Sequence, residues 1–246
     1  MQALAVQAQG AGATPIRPIA HIHTDFHQKF GIPRNAGLAA NTQGVIEFEP
    51  DFANPDALRG IEGFSHLWLI WQFENTDRSH WRPTVRPPRL GGSRRMGVFA
   101  TRSPFRPNPL GLSCVRLSHI EVADGVPRIH VLGADLRDGT PIFDIKPYIP
   151  YADCHPEANG GWTDEEPWSP LSVQVPENEL AKVPAEKRDG LVQALAQDPR
   201  PPLQTDPEKV FAMAFAGMNV RFTVTDGTLC VVDISPLDPK TFGFSL

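Results

Sequence analysis

Short segments rich in branched and aromatic residues recur between Ile16 and Tyr148, and no segment of helical periodicity separates them. Glycine, proline and asparagine bound these segments, a pattern typical of β-strands. Repeated short strands without crossover helices favour a barrel or a sandwich over a doubly wound sheet. The sequence therefore predicts a mainly β fold, with strands over residues 16–23, 44–48, 64–73, 97–101, 112–120, 128–133 and 141–148.

The pattern changes in the last third of the chain. Apolar residues recur near helical spacing over residues 178–197, although Pro184 and Gly190 interrupt them, so we expect one or two short helices. An Asp226-Gly227 pair separates two apolar segments, and Asp-Gly supplies the positive φ angles of a tight hairpin turn. We therefore predict a small C-terminal domain that contains a helix and a β-hairpin.

The domain boundary is expected in a segment of tryptophan, glycine, proline and acidic residues at 157–170, whose composition is typical of a linker. The first 14 residues have neither a basic start nor an adequate apolar run, so they make a poor signal peptide, and we expect a disordered lead-in there. The predicted organisation is a barrel domain over residues 15–156, a linker over 157–170 and a small α+β domain over 171–246.

Proline is unusually frequent, with 26 residues in a chain of 246, about twice its ordinary share. Stiff, irregular loops must therefore carry much of the fold. The three cysteines are widely separated, which fits neither a disulfide framework nor a CxxC metal site and favours a reducing cytoplasm. No stretch approaches the roughly 18 to 20 consecutive apolar residues of a membrane span, so we expect a soluble protein.

Charge is distributed unevenly along the chain. The formal net charge is −5, yet nine arginines and no acidic residue lie between Arg78 and Ile120. Residues 82–113, here called the arginine segment, also combine prolines that stiffen the backbone with glycines that permit close approach of a ligand. Guanidinium groups are forked donors suited to carboxylate and phosphate oxygens, so the segment indicates an anionic ligand. The alternative is a solvated surface whose arginines pair with acidic segments elsewhere in the chain.

Two further clusters contain candidate functional side chains. The turn at residues 135–141 offers Asp138, which either caps the turn or serves a site. Asp144 lies in an apolar strand, where a carboxylate requires a partner such as Lys146 or an arginine, or acquires a shifted pKa and serves as an acid or base. The second cluster is a glycine and proline loop with a donor-rich end at residues 30–35.

Histidines near the N-terminus raise a metal-binding alternative. His21 and His23 alternate on a predicted strand, so their imidazoles share a face, and His27 follows. A metal would require further ligands, such as Asp25 or Asp135. Strand histidines are more often surface or hydrogen-bonded residues, so no metal is expected. The sequence lacks the Rossmann glycine fingerprint, the P-loop, the GxSxG elbow and the HExxH motif, which disfavours common nucleotide-binding and hydrolase folds.

The same segments resemble those of a known family. The motifs are KFGIPRN at residues 29–35, GFSHLWLIWQF at 63–73, the arginine segment from RPTVRPPRLGG to RSPFRPNPLGLS, DLRDGTPIFDIKPYIPYAD at 135–153, ALAQDPRP at 194–201 and MNVRFTVTDG at 218–227. From Pro15 onward the chain is similar to the TrmO family of tRNA methyltransferases, also called TsaA. The resemblance implies a single-sheet antiparallel β-barrel, a small C-terminal domain and a homodimer. It also implies transfer of a methyl group from S-adenosylmethionine to N6 of N6-threonylcarbamoyladenosine, beside the anticodon of tRNA at position 37.

The resemblance suggests roles for individual residues. Cofactor contacts are expected from Arg34, Asn35, Ala36, Glu74, Asn75, Arg102, Leu112, Asp135, Leu136, Arg137 and Asp138. Relatives have a histidine where this chain has Glu74, so the roles of Glu74 and Asn75 are open. We expect Asp144 or Asp138 to act as the base that takes the N6 proton, with Asn108 as an orienting group. Substrate contacts are expected from Arg86, Arg89, Arg106 and Arg200, and contacts with the phosphate backbone from Arg82, Arg86, Arg94 and Arg95.

Two alternatives from other functional classes remain at this point. A metal-dependent hydrolase would use the N-terminal histidines and the aspartates, and metal analysis with activity after chelation would identify it. A non-enzymatic RNA-binding or ligand-binding module would keep the cofactor pocket without catalysis. In that case tRNA from a deletion strain would retain its methyl group.

Overall fold

The computed structural model describes residues 14–74, 81–90, 92, 94–165, 169–201, 204 and 206–238. The predicted lead-in, apart from Thr14, lies outside the described residues, and so does Asn75. The strands are β1 (Ala20–Thr24), β2 (Gln43–Phe48), β3 (His66–Gln72), β4 (Thr84–Val85), β5 (Met96–Gly97), β6 (Leu110–Ala123), β7 (Val126–Leu132), β8 (Thr140–Pro147), β9 (Ser172–Gln174), β10 (Phe211–Phe215), β11 (Met218–Thr225) and β12 (Thr228–Pro236). The α-helices are α1 (Pro150–Asp153), α2 (Trp162–Glu165), α3 (Glu177–Leu180) and α4 (Arg188–Ala196).

Six strands form a closed barrel in the order β1-β2-β7-β6-β3-β8, and β8 pairs back with β1. Every pair of neighbouring strands is antiparallel. Each barrel strand overlaps a segment predicted as a strand, which confirms a mainly β fold built on a single antiparallel barrel.

Alternation along the strands fills the barrel. On β3, Leu67, Leu69 and Trp71 are buried, whereas the residues between them are only partly covered. Successive side chains of a strand point to opposite faces, so the buried set lines the interior. Buried residues of the other barrel strands, among them Ile22 and Ile129, complete this core.

The strand predicted over residues 97–101 is wrong. Residues Val98–Ala100 form a 3-10 helix, and only the two-residue strand β5 precedes it. The backbone N–H of Thr101 donates to the carbonyl of Val98 at 3.2 Å, and the Thr101 hydroxyl donates to the same oxygen at 2.9 Å. These local bonds close a turn where the apolar composition alone suggests a strand.

A second sheet occupies the C-terminal region, in the order β10-β11-β12-β9, with β9 parallel to β12. The predicted hairpin is confirmed as β11 and β12, and Asp226 and Gly227 adopt φ angles of 47° and 74° in its turn. Both positive angles match the tight turn that Asp-Gly favours. Helix α4 confirms a helix within the segment predicted as helical, whereas β9 and β10 were not predicted.

The two regions share a core through the loop between β1 and β2. Phe26 from this loop is buried among C-terminal side chains, and its ring meets Phe215 edge-on at 5.4 Å between centroids. Lys187 donates to both carboxylate oxygens of Asp25 at 2.9 Å. The C-terminal region therefore anchors the loop that follows the first barrel strand. The exact domain limits stay a prediction.

No helix in the described ranges is both long and apolar enough to span a membrane.

Candidate functional site

The loop after β1 and the turn after β7 meet at one end of the barrel. The backbone N–H of Gly37 donates to the carbonyl of Gly133 at 2.8 Å, and the N–H of Gly133 donates to Thr42 at 2.8 Å. A Cβ atom on Gly133 would lie 3.3 Å from the Cα of Gly37, and both glycines have positive φ angles. Glycine permits this close approach. The contact brings residues 34–36 beside Asp135.

Asp135 receives a hydrogen bond from the barrel interior. The hydroxyl of Ser113, which points inward from β6, donates to Asp135 Oδ1 at 2.5 Å. The indole Nε1 of buried Trp71 donates to the same hydroxyl oxygen at 2.9 Å. Gly111 makes room for this arrangement, since a Cβ there would lie 2.2 Å from the Trp71 ring. The Trp71–Ser113–Asp135 chain therefore fixes the position of the carboxylate.

The charge state of Asp135 is set by opposing influences. Burial raises the pKa of this carboxyl group above its ordinary value. Hydrogen bonds from Ser113, from its own backbone N–H and from the backbone N–H of Ala36, together with the positive charge of Arg102, lower the pKa part of the way back. Burial disfavours the charged form, whereas donors and a nearby cation favour it. The net direction is upward, so the folded protein holds a proton on Asp135 more readily than an exposed carboxyl group would.

Arg102 completes this cluster from the arginine segment. Its Nη1 donates to Asn35 Oδ1 at 2.9 Å. Four residues expected to contact the cofactor therefore lie together: Asn35, Ala36, Arg102 and Asp135. Arg34, the neighbour of Asn35, is exposed. The cluster offers a carboxylate, a cation and an amide within one small region.

Glu74 and Arg137 form an ion pair at the same end of the barrel, through Arg137 Nη2 and Glu74 Oε2. Glu74 follows β3, whose end is held where the backbone N–H of Phe73 donates to Pro109 at 2.8 Å. Arg137 is the partner of Glu74 in this chain. The two side chains therefore lie together, and their contacts with the cofactor stay a prediction.

The side chains of two further residues expected at the cofactor do not join the Asp135 cluster, and their roles stay predictions. Leu112 is 54% exposed and points to the opposite face of β6 from buried Ser113, so its side chain does not join Asp135. Leu136 is buried in the barrel core, so only its backbone is available to a ligand. Both expectations came from the family resemblance, and the pleat of a strand decides which face a side chain occupies.

The two carboxylates predicted as bases are each engaged by protein groups. Asp138 Oδ1 accepts the backbone N–H of Thr24 at 3.1 Å and lies 3.2 Å from His23 Nδ1, as expected of a turn-capping residue. Asp144 pairs with Lys146 at 2.7 Å. The next residue, Ile145, packs on the barrel core, so Asp144 faces outward. Neither carboxylate is held in an apolar environment that would favour a catalytic base.

Asn108, the predicted orienting group, is exposed just before β6. Its carbonyl accepts the backbone N–H of Leu110 at 2.7 Å. This bond starts the strand, and the side chain remains accessible to a ligand. Its role in orientation stays a prediction.

The predicted substrate arginines differ in their surroundings. Arg106 donates through Nη1 to the carbonyls of Thr101 and Ser103, at 3.1 and 3.2 Å, and so braces its own loop. Arg200 makes a two-point contact with Asp198, at 2.8 and 2.9 Å, and hydrogen bonding to this carboxylate raises the pKa of its guanidinium. These two arginines therefore serve internal contacts.

The remaining arginines of the segment lie nearer the surface. Arg94 pairs with Glu165 at 2.7 Å, and Arg89 donates to a carbonyl of the same helix, α2, at 3.4 Å. Arg95 donates to a threonine hydroxyl at 3.0 Å, and Arg82 lies over the ring of Phe105 at 4.9 Å. Arg82, Arg86, Arg94 and Arg95 are all exposed. The alternative prediction for this segment was that its arginines pair with acidic residues elsewhere in the chain, and Arg94 forms such a pair.

The N-terminal histidines pair with carboxylates. His21 Nδ1 lies 2.8 Å from Glu49, and His23 lies between Glu47 and Asp138. Across the described part of the chain, no group of three or more histidine, cysteine, aspartate or glutamate side chains is arranged to hold a metal ion. The geometry thus gives the metal-dependent hydrolase no support.

Sequence reasoning missed Ser113 and Trp71 as members of the site. Both lie within quoted motifs, yet one serine among the apolar residues of a strand gives no sign of its partner. The alternation of inward and outward side chains along a strand could have identified them. Trp71 and Ser113 occupy inward positions on neighbouring strands, and a buried indole N–H and a buried hydroxyl both require hydrogen-bond partners.

Comparison with known proteins places this barrel and site in context. Residues 21–154 match the family described as tRNA-methyltransferase O N-terminal domain, and residues 169–237 match the TrmO C-terminal domain. A protein of Escherichia coli (strain K12) named tRNA (adenine(37)-N6)-methyltransferase is 40% identical over 223 residues, which cover 87% of this chain and 95% of the relative. A Pseudomonas aeruginosa protein described as a candidate S-adenosylmethionine-dependent methyltransferase is 42% identical over 195 residues, which cover 77% of this chain and 83% of the relative.

Solved structures agree with these matches. A crystal structure of TrmO from Pseudomonas aeruginosa is similar with a TM-score of 0.74 and 32% sequence identity, over 91% of this chain and 98% of that chain. The similarity therefore extends over both the barrel and the C-terminal region. On this evidence, the chain belongs to the TrmO family.

Proposed function

We propose that the protein is an S-adenosylmethionine-dependent methyltransferase that methylates N6 of adenosine 37 in tRNA, with N6-threonylcarbamoyladenosine as the form it accepts. Membership of the TrmO family and the activity for which the Escherichia coli relative is named support this reaction. The observation that carries the proposal is the cluster of Asp135, Arg102 and Asn35, which joins a fixed carboxylate to an acid-free arginine segment.

The donors and acceptors of this cluster fit the proposed cofactor. S-adenosylmethionine carries an amine, a carboxylate and two ribose hydroxyls, and it supplies an electrophilic methyl group when bound. Asp135 would accept from the amine or a ribose hydroxyl, because burial and the Ser113 hydroxyl hold its carboxylate in place. Arg102 would bind the carboxylate, since a guanidinium presents paired donors to such a group. Asn35 orients Arg102 through their 2.9 Å bond.

The stiffness of the arginine segment suits the positioning that methyl transfer requires. Transfer to a nitrogen needs the acceptor in line with the breaking bond, so fixed geometry supplies several kcal/mol of barrier reduction. Proline fixes the backbone φ angle, and Arg106 ties two carbonyls of the same loop. Asp144, Asp138 and Asn108 remain the proposed proton-transfer and orienting groups. The contacts of the two aspartates described above do not favour them.

Exposed arginines would bind the phosphate backbone of the tRNA. Arg82, Arg86 and Arg95 are exposed within a stretch free of acidic residues. Each neutralised phosphate releases bound counterions, so affinity for tRNA should fall steeply as salt rises. An affinity independent of salt would contradict this surface. We also propose a homodimer in the cytoplasm, which sedimentation of the purified protein and fractionation of cells would test.

The deciding experiment is incubation of the protein with cofactor labelled in the methyl group and with tRNA that either carries or lacks threonylcarbamoylation. We expect label in the nucleoside from the modified tRNA, at N6 of adenosine 37. Label in neither tRNA would refute the proposed reaction, and label in both would refute the requirement for threonylcarbamoylation.

A pair of variants connects the reaction to the site. Asp135→Asn should weaken cofactor binding and methyl transfer by about 10-fold or more, because it removes a charge-assisted acceptor of roughly 1.5–3 kcal/mol. Asp144→Asn, a matched change on the outer face of the barrel, should have little effect on cofactor binding. Equal cofactor affinity in the two variants would contradict the role of Asp135.

A further inference from the structure

Two large aromatic side chains lie exposed beside the arginine segment. Trp81 is 49% exposed and Phe99 is 74% exposed. Their ring centroids are 6.3 Å apart and their planes are inclined by only 24°. Exposed aromatic pairs are unfavourable in water, and adjacent ones mark interaction surfaces more often than isolated ones do. The pair therefore requires an explanation that the fold itself does not give.

A backbone hydrogen bond joins the two segments that carry these rings. Trp81 precedes β4, and Phe99 lies in the 3-10 helix after β5. The backbone N–H of Val98 donates to the carbonyl of Pro83 at 3.0 Å, and the Val98 side chain is fully buried below. This bond ties the two backbone segments together. The residues that carry the two near-parallel rings are therefore held next to each other by the backbone.

The surroundings of the pair are cationic. Arg82 follows Trp81 directly, and its guanidinium lies 4.9 Å from the Phe105 ring, while its backbone N–H donates to the Phe105 carbonyl at 3.2 Å. Arg95, which directly precedes β5, is exposed as well. No acidic residue occurs between residues 78 and 120 of the sequence. The charge of this surface matches a polyanion, which favours RNA over an apolar peptide as the occupant.

We propose that Trp81 and Phe99 form a stacking platform for an unpaired nucleobase of the RNA substrate, with Arg82 on the phosphate next to that base. The proposal rests on the proposed function and adds a contact with a base other than the one that is methylated. Every base has a π-face, so stacking on aromatic rings binds single-stranded RNA without reading sequence. An anticodon loop presents unpaired bases on either side of its target, and the exposed face of Trp81 or Phe99 offers the aromatic surface on which such a base stacks.

Binding measurements with the full-length protein test the platform. The probe is tRNA with and without threonylcarbamoylation, and the variants are Trp81→Ala and Phe99→Ala. Loss of base stacking weakens single-strand binding by about 5- to 150-fold per base, so we expect a rise of that order in Kd and in KM for tRNA. Trp81→Phe should restore most of the affinity, because a smaller aromatic ring still stacks.

Controls separate stacking from folding. Tyr151→Ala removes a ring that is 91% exposed in α1, and it should leave tRNA affinity at the level of the wild type. Cofactor affinity should be unchanged in Trp81→Ala and Phe99→Ala, since Asp135 and Arg102 are held by Ser113, Ala36 and Asn35. Indole fluorescence gives an independent readout. Binding of tRNA should quench the wild-type emission, and the quench should be smaller in Trp81→Phe.

The outcomes are distinct for the platform and for the proposed function. If the wild type methylates tRNA while Trp81→Ala and Phe99→Ala bind it with unchanged affinity, the platform is refuted and the proposed function stands. If the wild type neither binds nor methylates tRNA, both fail. If the variants instead change the sedimentation mass of the protein, the rings belong to an interface between copies of this chain, and the platform is again refuted.

Discussion

Replacing Ser113 with alanine would remove the hydroxyl that joins the barrel interior to Asp135. Trp71 would lose the acceptor of its indole N–H, now at 2.9 Å, and Asp135 would lose a donor at 2.5 Å. Both Trp71 and Ser113 are buried, so water does not replace these bonds. A buried donor left without a partner costs about 1–3 kcal/mol. In a protein of this size that loss lowers Tm by about 2–12 °C.

The same substitution should change the pH dependence of stability. Burial raises the pKa of Asp135 above its ordinary value of 3.8, and the bond from Ser113 lowers the pKa part of the way back. The folded protein thus binds a proton at Asp135 more readily than the unfolded chain does. The contribution of this group to the free energy of unfolding is therefore fully present below the unfolded pKa, and it falls as pH rises through the folded pKa. Ser113→Ala should raise the folded pKa further and extend this fall to higher pH.

Urea unfolding followed by tryptophan fluorescence, repeated across the acidic and neutral range, measures both effects. Ser118→Ala is the matched control, since Ser118 is an exposed serine on the same strand. We expect the control to unfold like the wild type, and Asp135→Asn to lose the pH-dependent component. If Ser113→Ala unfolded at the wild-type urea concentration at every pH, the hydrogen-bonded chain from Trp71 to Asp135 would contribute nothing to stability. The reasoning would then be refuted.

Two further predictions concern the edges of the site. Glu165→Gln should strengthen tRNA binding several-fold, because it releases Arg94 from an exposed ion pair at 2.7 Å and leaves its guanidinium available to a phosphate. The gain should shrink as salt rises, and filter-binding titrations at two salt concentrations measure it. An unchanged affinity for tRNA would contradict this prediction. Gly190→Val should destabilise the protein by about 1–3 kcal/mol, since a Cβ there already lies 3.0 Å from the Asn41 carbonyl. Gly63→Val, where a Cβ meets nothing within 4 Å, is its control in thermal unfolding, and equal Tm values would exclude the steric explanation.

The sequence predicted the barrel better than its details. Alternation and boundary residues located all six barrel strands, because a half-buried strand imposes a period of two on its side chains. The segment around Val98 shares that apolar composition, yet hydrogen bonds from Thr101 turn it into a 3-10 helix. Strands β9 and β10 were missed for a different reason. Three residues suffice for β9, which depends on a parallel partner distant in sequence.

The sequence predicted several residues of the candidate site but not the hydrogen bonds that connect them. Resemblance to the family named Asn35, Ala36, Arg102 and Asp135, and the structure brings these four together. The role of Ser113 depends on strand register, because a shift of one residue would turn its hydroxyl outward. Loop conformation likewise decides which acceptors lie within reach of a side chain, and a linear sequence does not fix it.

Counting the arginines of the arginine segment overestimates how many of them are free to bind a nucleic acid. Proline lacks an N–H donor, so a proline-rich loop leaves carbonyl groups that its own backbone cannot satisfy. Arg106 supplies such donors to Thr101 and Ser103, so its Nη1 group is engaged within the loop. Arg82 and Arg86 remain exposed to solvent. The same residue type thus builds the loop and faces the ligand, and the exposed arginines should contribute most to the salt dependence of tRNA binding.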